Sequence, residues 1–117
     1  ERKVFVNMLR HARAMIGNSS AGILEAPTLG LPVVNIGSRQ RDRENAGNVI
    51  FTDYDPAEIA AALTRATSDE GFRTMVAKCQ TPYGDGQSSR RIADLLRDAK
   101  LDARLLHKHF VMGGQNV

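Results

Sequence analysis

The sequence predicts an α/β fold built on a doubly wound parallel sheet. Two observations carry this reading. Three short apolar or β-branched segments are spaced along the first half, and longer stretches with apolar residues at helical spacing lie between and after them. Strands joined by helices imply right-handed βαβ units and hence a parallel sheet. A third observation concerns completeness. Three strands make a small sheet for five helices to cover, so the expectation is a partial sheet whose earlier strands lie upstream.

Each element has its own signal. Phe5, Met8, Leu9 and Ala12 recur at i, i+3, i+4, i+7, the stripe of an amphipathic helix. Ala14-Met15-Ile16-Gly17 is a short apolar run suited to a buried parallel strand. Asn18-Ser19-Ser20 supplies cap residues for a second helix, which must kink or stop near Pro27 and end at Gly30. Leu31–Ile36 reads as a second strand with Pro32 at its start, and Asn48–Thr52 as a third. Residues 37–47 between them form a polar, charged loop.

The remainder is helical. Asp55-Pro56 is a cap followed by proline at the first helical position, and Ile59, Ala62, Leu63 and Ala66 form the stripe behind it. Phe72, Met75, Val76 and Cys79 repeat that spacing after Ser68-Asp69-Glu70. Tyr83-Gly84-Asp85-Gly86 reads as a turn, with Asp85 or Ser88 capping the helix that carries Ile92, Leu95, Leu96 and Ala99. A last helix is expected over Asp102 to Met112, its Leu105, Leu106 and Phe110 forming a stripe suited to an absent partner domain. The organisation implied is one domain over residues 1–112 and a frayed tail over 113–117.

Composition narrows the function. At 117 residues, with 42% hydrophobic and 25% charged, the chain is an ordinary globular domain at most one domain long. It has no apolar run long enough to span a membrane and no signal-peptide pattern, so a membrane partner is not expected. The lone Cys79 excludes an internal disulfide and a cysteine zinc site, and suits a reducing cytoplasm. It continues an apolar stripe, which favours a packed thiol over a nucleophile. His107 and His109 are two apart on a helix and cannot share a metal, and His11 reads as a surface residue. No glycine-rich dinucleotide fingerprint or P-loop is present, so neither metal nor cofactor is expected. The chain opens at Glu1 inside a helical pattern, which suggests a piece of something longer.

The net charge is +3, with one local arginine cluster, Arg39, Arg41 and Arg43. Only 5% of residues are aromatic, too few for a base-stacking platform, so a small polyanion fits better than nucleic acid. In an open parallel sheet ligands bind outside the carboxyl ends of the strands. Three segments leave such ends: Asn18-Ser19-Ser20, the 37–44 stretch with its arginines, and Asp53-Tyr54. Serine hydroxyls and backbone N–H groups at a helix start can meet an anion, and a guanidinium can clamp a phosphate through two N–H groups. Both loops could address one diphosphate. The competing readings are structural: the serines as a cap, the arginines as a solvated face, and Glu25 as a surface glutamate rather than an acceptor for sugar hydroxyls.

At these residues the chain resembles a known family. Gly17-Asn18-Ser19-Ser20-Ala21-Gly22, Glu25, the segment Gly30-Leu31-Pro32-Val33-Val34-Asn35-Ile36-Gly37, Arg39-Gln40, Arg43-Glu44, Asn48-Val49 and Tyr83-Gly84-Asp85-Gly86 are similar, in that order, to the C-terminal domain of UDP-N-acetylglucosamine 2-epimerases. Asn-Ser-Ser followed by Gly-x-Arg-Gln resembles the hydrolysing branch, which feeds sialic-acid-type sugar synthesis. The resemblance implies the C-terminal half of a glycosyltransferase-B type fold, with a Rossmann-like, UDP-binding domain in this chain. It implies that Ser19 and Ser20 hold the UDP phosphates, Glu25 the ribose hydroxyls, and Arg39 the same cleft. Asn18, Gly22, Arg43 and Glu44 match with less defined roles. Asp42 departs from the pattern, where relatives often carry glycine.

By the same resemblance the parent reaction converts UDP-N-acetylglucosamine and water to N-acetylmannosamine and UDP. Its acid/base carboxylates belong to the N-terminal domain, and none of His11, His107 or His109 matches the family histidine. The isolated chain is therefore expected to be inactive and to need the missing N-terminal domain of its own polypeptide; homo-oligomerisation is compatible with this. Two alternatives stay open: a nucleotide-sugar glycosyltransferase of the same fold, and a basic module that binds anions or nucleic acid.

Overall fold

Val33 and Val34 face opposite ways from the middle strand, and two apolar clusters of the described residues form around them. A computed structural model describes residues 1–103 and 107. It divides into two compact units, Glu1–Gly84 and Asp85–Val117. The first unit is α/β. In chain order it contains α1 (Arg2–His11), β1 (Met15–Gly17), α2 (Ala21–Leu24), a 3-10 turn (Ala26–Leu29), β2 (Val33–Ile36), β3 (Val49–Thr52), α3 (Pro56–Ser68) and α4 (Glu70–Lys78). The second contains α5 (Ser88–Asp98).

The three strands form one parallel sheet in the order β1-β2-β3. Side chains alternate across a strand, so neighbouring valines line different faces. Val34 joins Ala62, Ala66, Phe72 and Val76, with Ile50 and Cys79 packed alongside, under α3 and α4. Val33 joins Leu9, Ala26 and Leu31, with Met15 and Val49 alongside, under α1 and the 3-10 turn. Helices thus cover both faces, the layering of a Rossmann-like sheet.

The second helix departs from expectation. Instead of running to Gly30 it is one α-turn, Ala21–Leu24, followed by the 3-10 turn. Pro27 cannot donate to the Ile23 carbonyl, so the α-pattern ends before it. Gly30 closes the segment at φ 60, a left-handed conformation that suits glycine. The first helix also differs. Leu9 is buried and Val6 half-buried, while Phe5 and Met8 stay exposed and Ala12 falls outside the helix. Leu9 alone of this helix is fully buried, packed with Ala26, Leu31 and Val33.

The expected cap of α3 forms, while Leu63, Met75, Ile92, Leu95 and Leu96 of the expected apolar stripes stay exposed. Asp55 caps α3 by accepting from Ala57 and Glu58, with Pro56 at the first position, and Asp69 caps α4 through the Phe72 N–H. Gln87, rather than Asp85 or Ser88, occupies the position before α5, and Asp85 accepts from its backbone N–H at 3.0 Å. Most of the helix expected over Asp102 to Met112, with Leu105, Leu106, His109 and Phe110, and the tail over 113–117, lie outside the described residues.

Candidate functional site

Gly17 pairs with Asn35, and Ile36 with Thr52, so the three strands end almost level. The loops that leave them therefore emerge from one edge of the sheet. Two bonds square off that edge: the Gly37 N–H donates to the Thr52 oxygen at 2.8 Å, and the buried Asn35 amide donates to the Gly37 oxygen at 3.1 Å. Gly37 has φ 81, and the Tyr54 hydroxyl lies where its side chain would start. That left-handed backbone favours glycine, which explains the Ile36-Gly37 turn.

The serine loop comes first. Ser19 Oγ accepts from the Ala21 N–H at 3.3 Å, while Ser20 makes no side-chain capping bond and already has helical backbone angles. A local turn contact therefore accounts for Ser19, and the Ser20 hydroxyl has no partner among the described residues. Because α2 is a single turn, it sums few peptide dipoles. Hydroxyls and backbone N–H groups remain as the loop's donors.

The second loop does not present its arginines as one cluster. Arg41 is drawn into an ion pair with Asp53 at 2.7 Å. Arg43 donates to Gln40 Oε1 at 3.2 Å. Arg39 is exposed and makes no hydrogen bond or ion pair among the described residues. Gln40 enters the sequence reading only as part of the Arg39-Gln40 match, with no role of its own. It is only 3% exposed, and its Nε2 donates to the Asn18 carbonyl at 3.1 Å. Gln40 thus ties the arginine loop to the serine loop. A signal was present: it is the only uncharged residue between Arg39 and Glu44. Tyr83, read from sequence only as part of a turn and of the family match, donates its hydroxyl to the Glu44 carbonyl at 2.7 Å. Asp42 is exposed in the same loop.

Glu25 lies six residues beyond Ser19, about 9 Å along a helical rise. It ends α2, is 26% exposed at its side chain, and is gripped by the Arg2 guanidinium through both oxygens, at 2.9 and 3.3 Å. The pair stands at a cleft of about 270 Å³ floored by Val6, Leu24 and Leu29. Gly22 is buried, and a side chain there would meet Val33 Cγ1 at 2.8 Å, so its structural role is close packing of α2 on β2. The structure brings Asn18, Ser19, Ser20, Gln40 and Arg43 to one edge, and puts Glu25 at the far end of α2. His11 is exposed beside a separate cleft with Asn7 and Arg10. No group of three His, Cys, Asp or Glu suited to a metal occurs among the described residues, and none of their helices is long and apolar enough to cross a membrane.

With this arrangement in place, comparison with known proteins is informative. The model of the UDP-N-acetylglucosamine 2-epimerase family matches residues 1–97. The chain belongs to this family. It is 38% identical over 107 residues to a hydrolysing UDP-N,N'-diacetylbacillosamine 2-epimerase of Legionella pneumophila, covering 92% of this chain and 27% of that one. A hydrolysing GDP/UDP-N,N'-diacetylbacillosamine 2-epimerase of Campylobacter jejuni is 34% identical over the same shares. A UDP-N-acetylglucosamine 2-epimerase of Neisseria meningitidis is 45% identical over 64 residues, 55% of this chain and 17% of that one. The chain thus spans about a quarter of the length of the relatives that match most of it.

Proposed function

We propose that this chain is the UDP-holding, C-terminal part of a hydrolysing UDP-N-acetylglucosamine 2-epimerase of the glycosyltransferase-B type. In the reaction, the C2–H bond and the C1–oxygen bond of the sugar break, UDP leaves, and an unsaturated sugar remains. Water then adds across the double bond to give N-acetylmannosamine. This chain's part is to bind and stabilise the departing diphosphate. Ser19 and Ser20 contact it with hydroxyl and backbone donors, and Arg39 and Arg43 neutralise its charge. Glu25 accepts from the ribose hydroxyls, since an ionised carboxylate has acceptor capacity left beyond the Arg2 contact. The single observation that supports this most is the bridge from Asn18 through Gln40 to Arg43, which puts serine and arginine donors on one edge.

The acid and base that act at C2 lie outside this chain in this reading, so the isolated chain binds UDP but forms no N-acetylmannosamine. Calorimetric titration of the chain with UDP tests the proposal. Saturable binding that falls at least tenfold in the Ser19→Ala, Ser20→Ala double variant supports it. Absence of UDP binding by the folded wild-type chain overturns it. Salt-steep binding to duplex DNA that survives the serine changes would favour a basic nucleic-acid module instead.

A further inference from the structure

Gln40 is a buried amide inside the charged run from Arg39 to Glu44, and its two ends are not interchangeable. Nε2 meets the Asn18 carbonyl, which can only accept; Oε1 meets the Arg43 guanidinium, which can only donate. A side chain of this length with one donor end and one acceptor end satisfies both. Glutamate would point an acceptor at an acceptor, and methionine would leave both partners unpaired. The Asn18 contact also has a geometric consequence. The peptide between Asn18 and Ser19 is planar and trans, so holding the Asn18 oxygen towards Gln40 turns the Ser19 N–H to the opposite side. One residue therefore sets the direction of the Ser19 N–H and the position of the Arg43 guanidinium.

We infer that Gln40 is a positioning residue that fixes the direction of the Ser19 N–H and the place of the Arg43 guanidinium, two of the donors for a diphosphate. The inference rests on the UDP-binding reading above and adds to it a residue that touches neither phosphate. Arg43 keeps its remaining N–H groups for the ligand because only one is engaged by Gln40. The direct donors then act as a pair, and loss of the link uncouples them.

The test is UDP titration of the wild-type chain, Gln40→Met, Arg43→Met and the double variant, with thermal unfolding of each ligand-free protein. Gln40→Met and Arg43→Met are each expected to weaken UDP at least tenfold, and the double variant no more than the weaker-binding single. Gln40→Met binding UDP like wild type, or losses that multiply in the double variant, would overturn the inference while leaving the UDP reading intact. A wild-type chain that fails to bind UDP would instead overturn that reading. If Gln40→Met does not fold, Arg43→Met carries the test, since Arg43 is exposed. Its Ser19 amide resonance in the ligand-free state is expected to move from the wild-type position. An unmoved resonance means that Gln40 transmits nothing, and the proposal falls.

Discussion

Asn48 donates from its side-chain amide to the carbonyl of Gly22 at 3.0 Å and to that of Leu31 at 3.3 Å. Asn48 is fully buried, one residue before β3. It therefore fastens the start of one strand to the short helix and to the approach of another. Asn48→Ala removes the donor for two buried carbonyls and is expected to cost about 2 kcal/mol, with Asn48→Asp worse because it adds a buried acceptor. Urea unfolding should show a lower midpoint with an unchanged slope. An unshifted midpoint in Asn48→Ala would remove this fastening role.

Gly22 and Val33 form a second contact with a measurable consequence. A Cβ at position 22 would sit 2.8 Å from Val33 Cγ1, closer than packing allows. Gly22→Ala should destabilise by about 1–3 kcal/mol. Adding Val33→Ala should recover part of that loss, giving a favourable coupling in the double-mutant cycle. Strict additivity would mean that α2 shifts to relieve the clash.

Burial pushes the Cys79 thiol above its ordinary value of 9.0, outweighing a backbone hydrogen bond that acts the other way. The unfolded chain therefore ionises at lower pH than the folded one. Stability from this group is intact below pH 9.0 and declines as pH rises beyond it. Denaturation midpoints across that range should fall less steeply in Cys79→Ala. Alkylation of Cys79 in the folded chain should be slower at pH 8 than that of a free thiol at the same pH.

The exposed Asp85 carboxyl is held below its usual 3.8, first by the Arg91 guanidinium and then by the Gln87 N–H. Arg91 reaches both oxygens, at 2.9 and 2.7 Å. The turn before α5 is thus supported above pH 3.8 and loses that support as pH falls through the folded value. Carboxyl resonances of Asp85 should titrate below 3.8 in the wild-type chain and move upward in Arg91→Ala. An identical midpoint in both would show that the pair does not form in solution.

Most of the fold can be traced to local signals. Asp55-Pro56 and Asp69 announce α3 and α4 because a carboxylate on free N–H groups is a local interaction. Met15–Gly17, Val33–Ile36 and Val49–Thr52 are strands in nearly the positions their apolar runs indicate. Pro27 signals the break in the second helix, although not that only one α-turn survives. The stripe of α1 is less legible. Periodicity marks Phe5 and Met8 as apolar-face residues, but burial depends on what lies opposite, and both stay exposed.

By itself, then, the sequence determined the element order, the parallel α/β class and the family, because strand runs, caps and ordered motifs are properties of neighbouring residues. Tertiary structure alone decided which arginines stay available. Arg39, Arg41 and Arg43 look equivalent in the chain, yet Asp53 takes Arg41, Gln40 takes one N–H of Arg43, and Arg39 remains open to solvent. It alone revealed that Gln40 reaches across 22 residues to Asn18, and that Arg2 grips Glu25. Hydrogen bonds of a few ångströms between distant segments depend on how strand register levels the loops, and no local pattern encodes that distance.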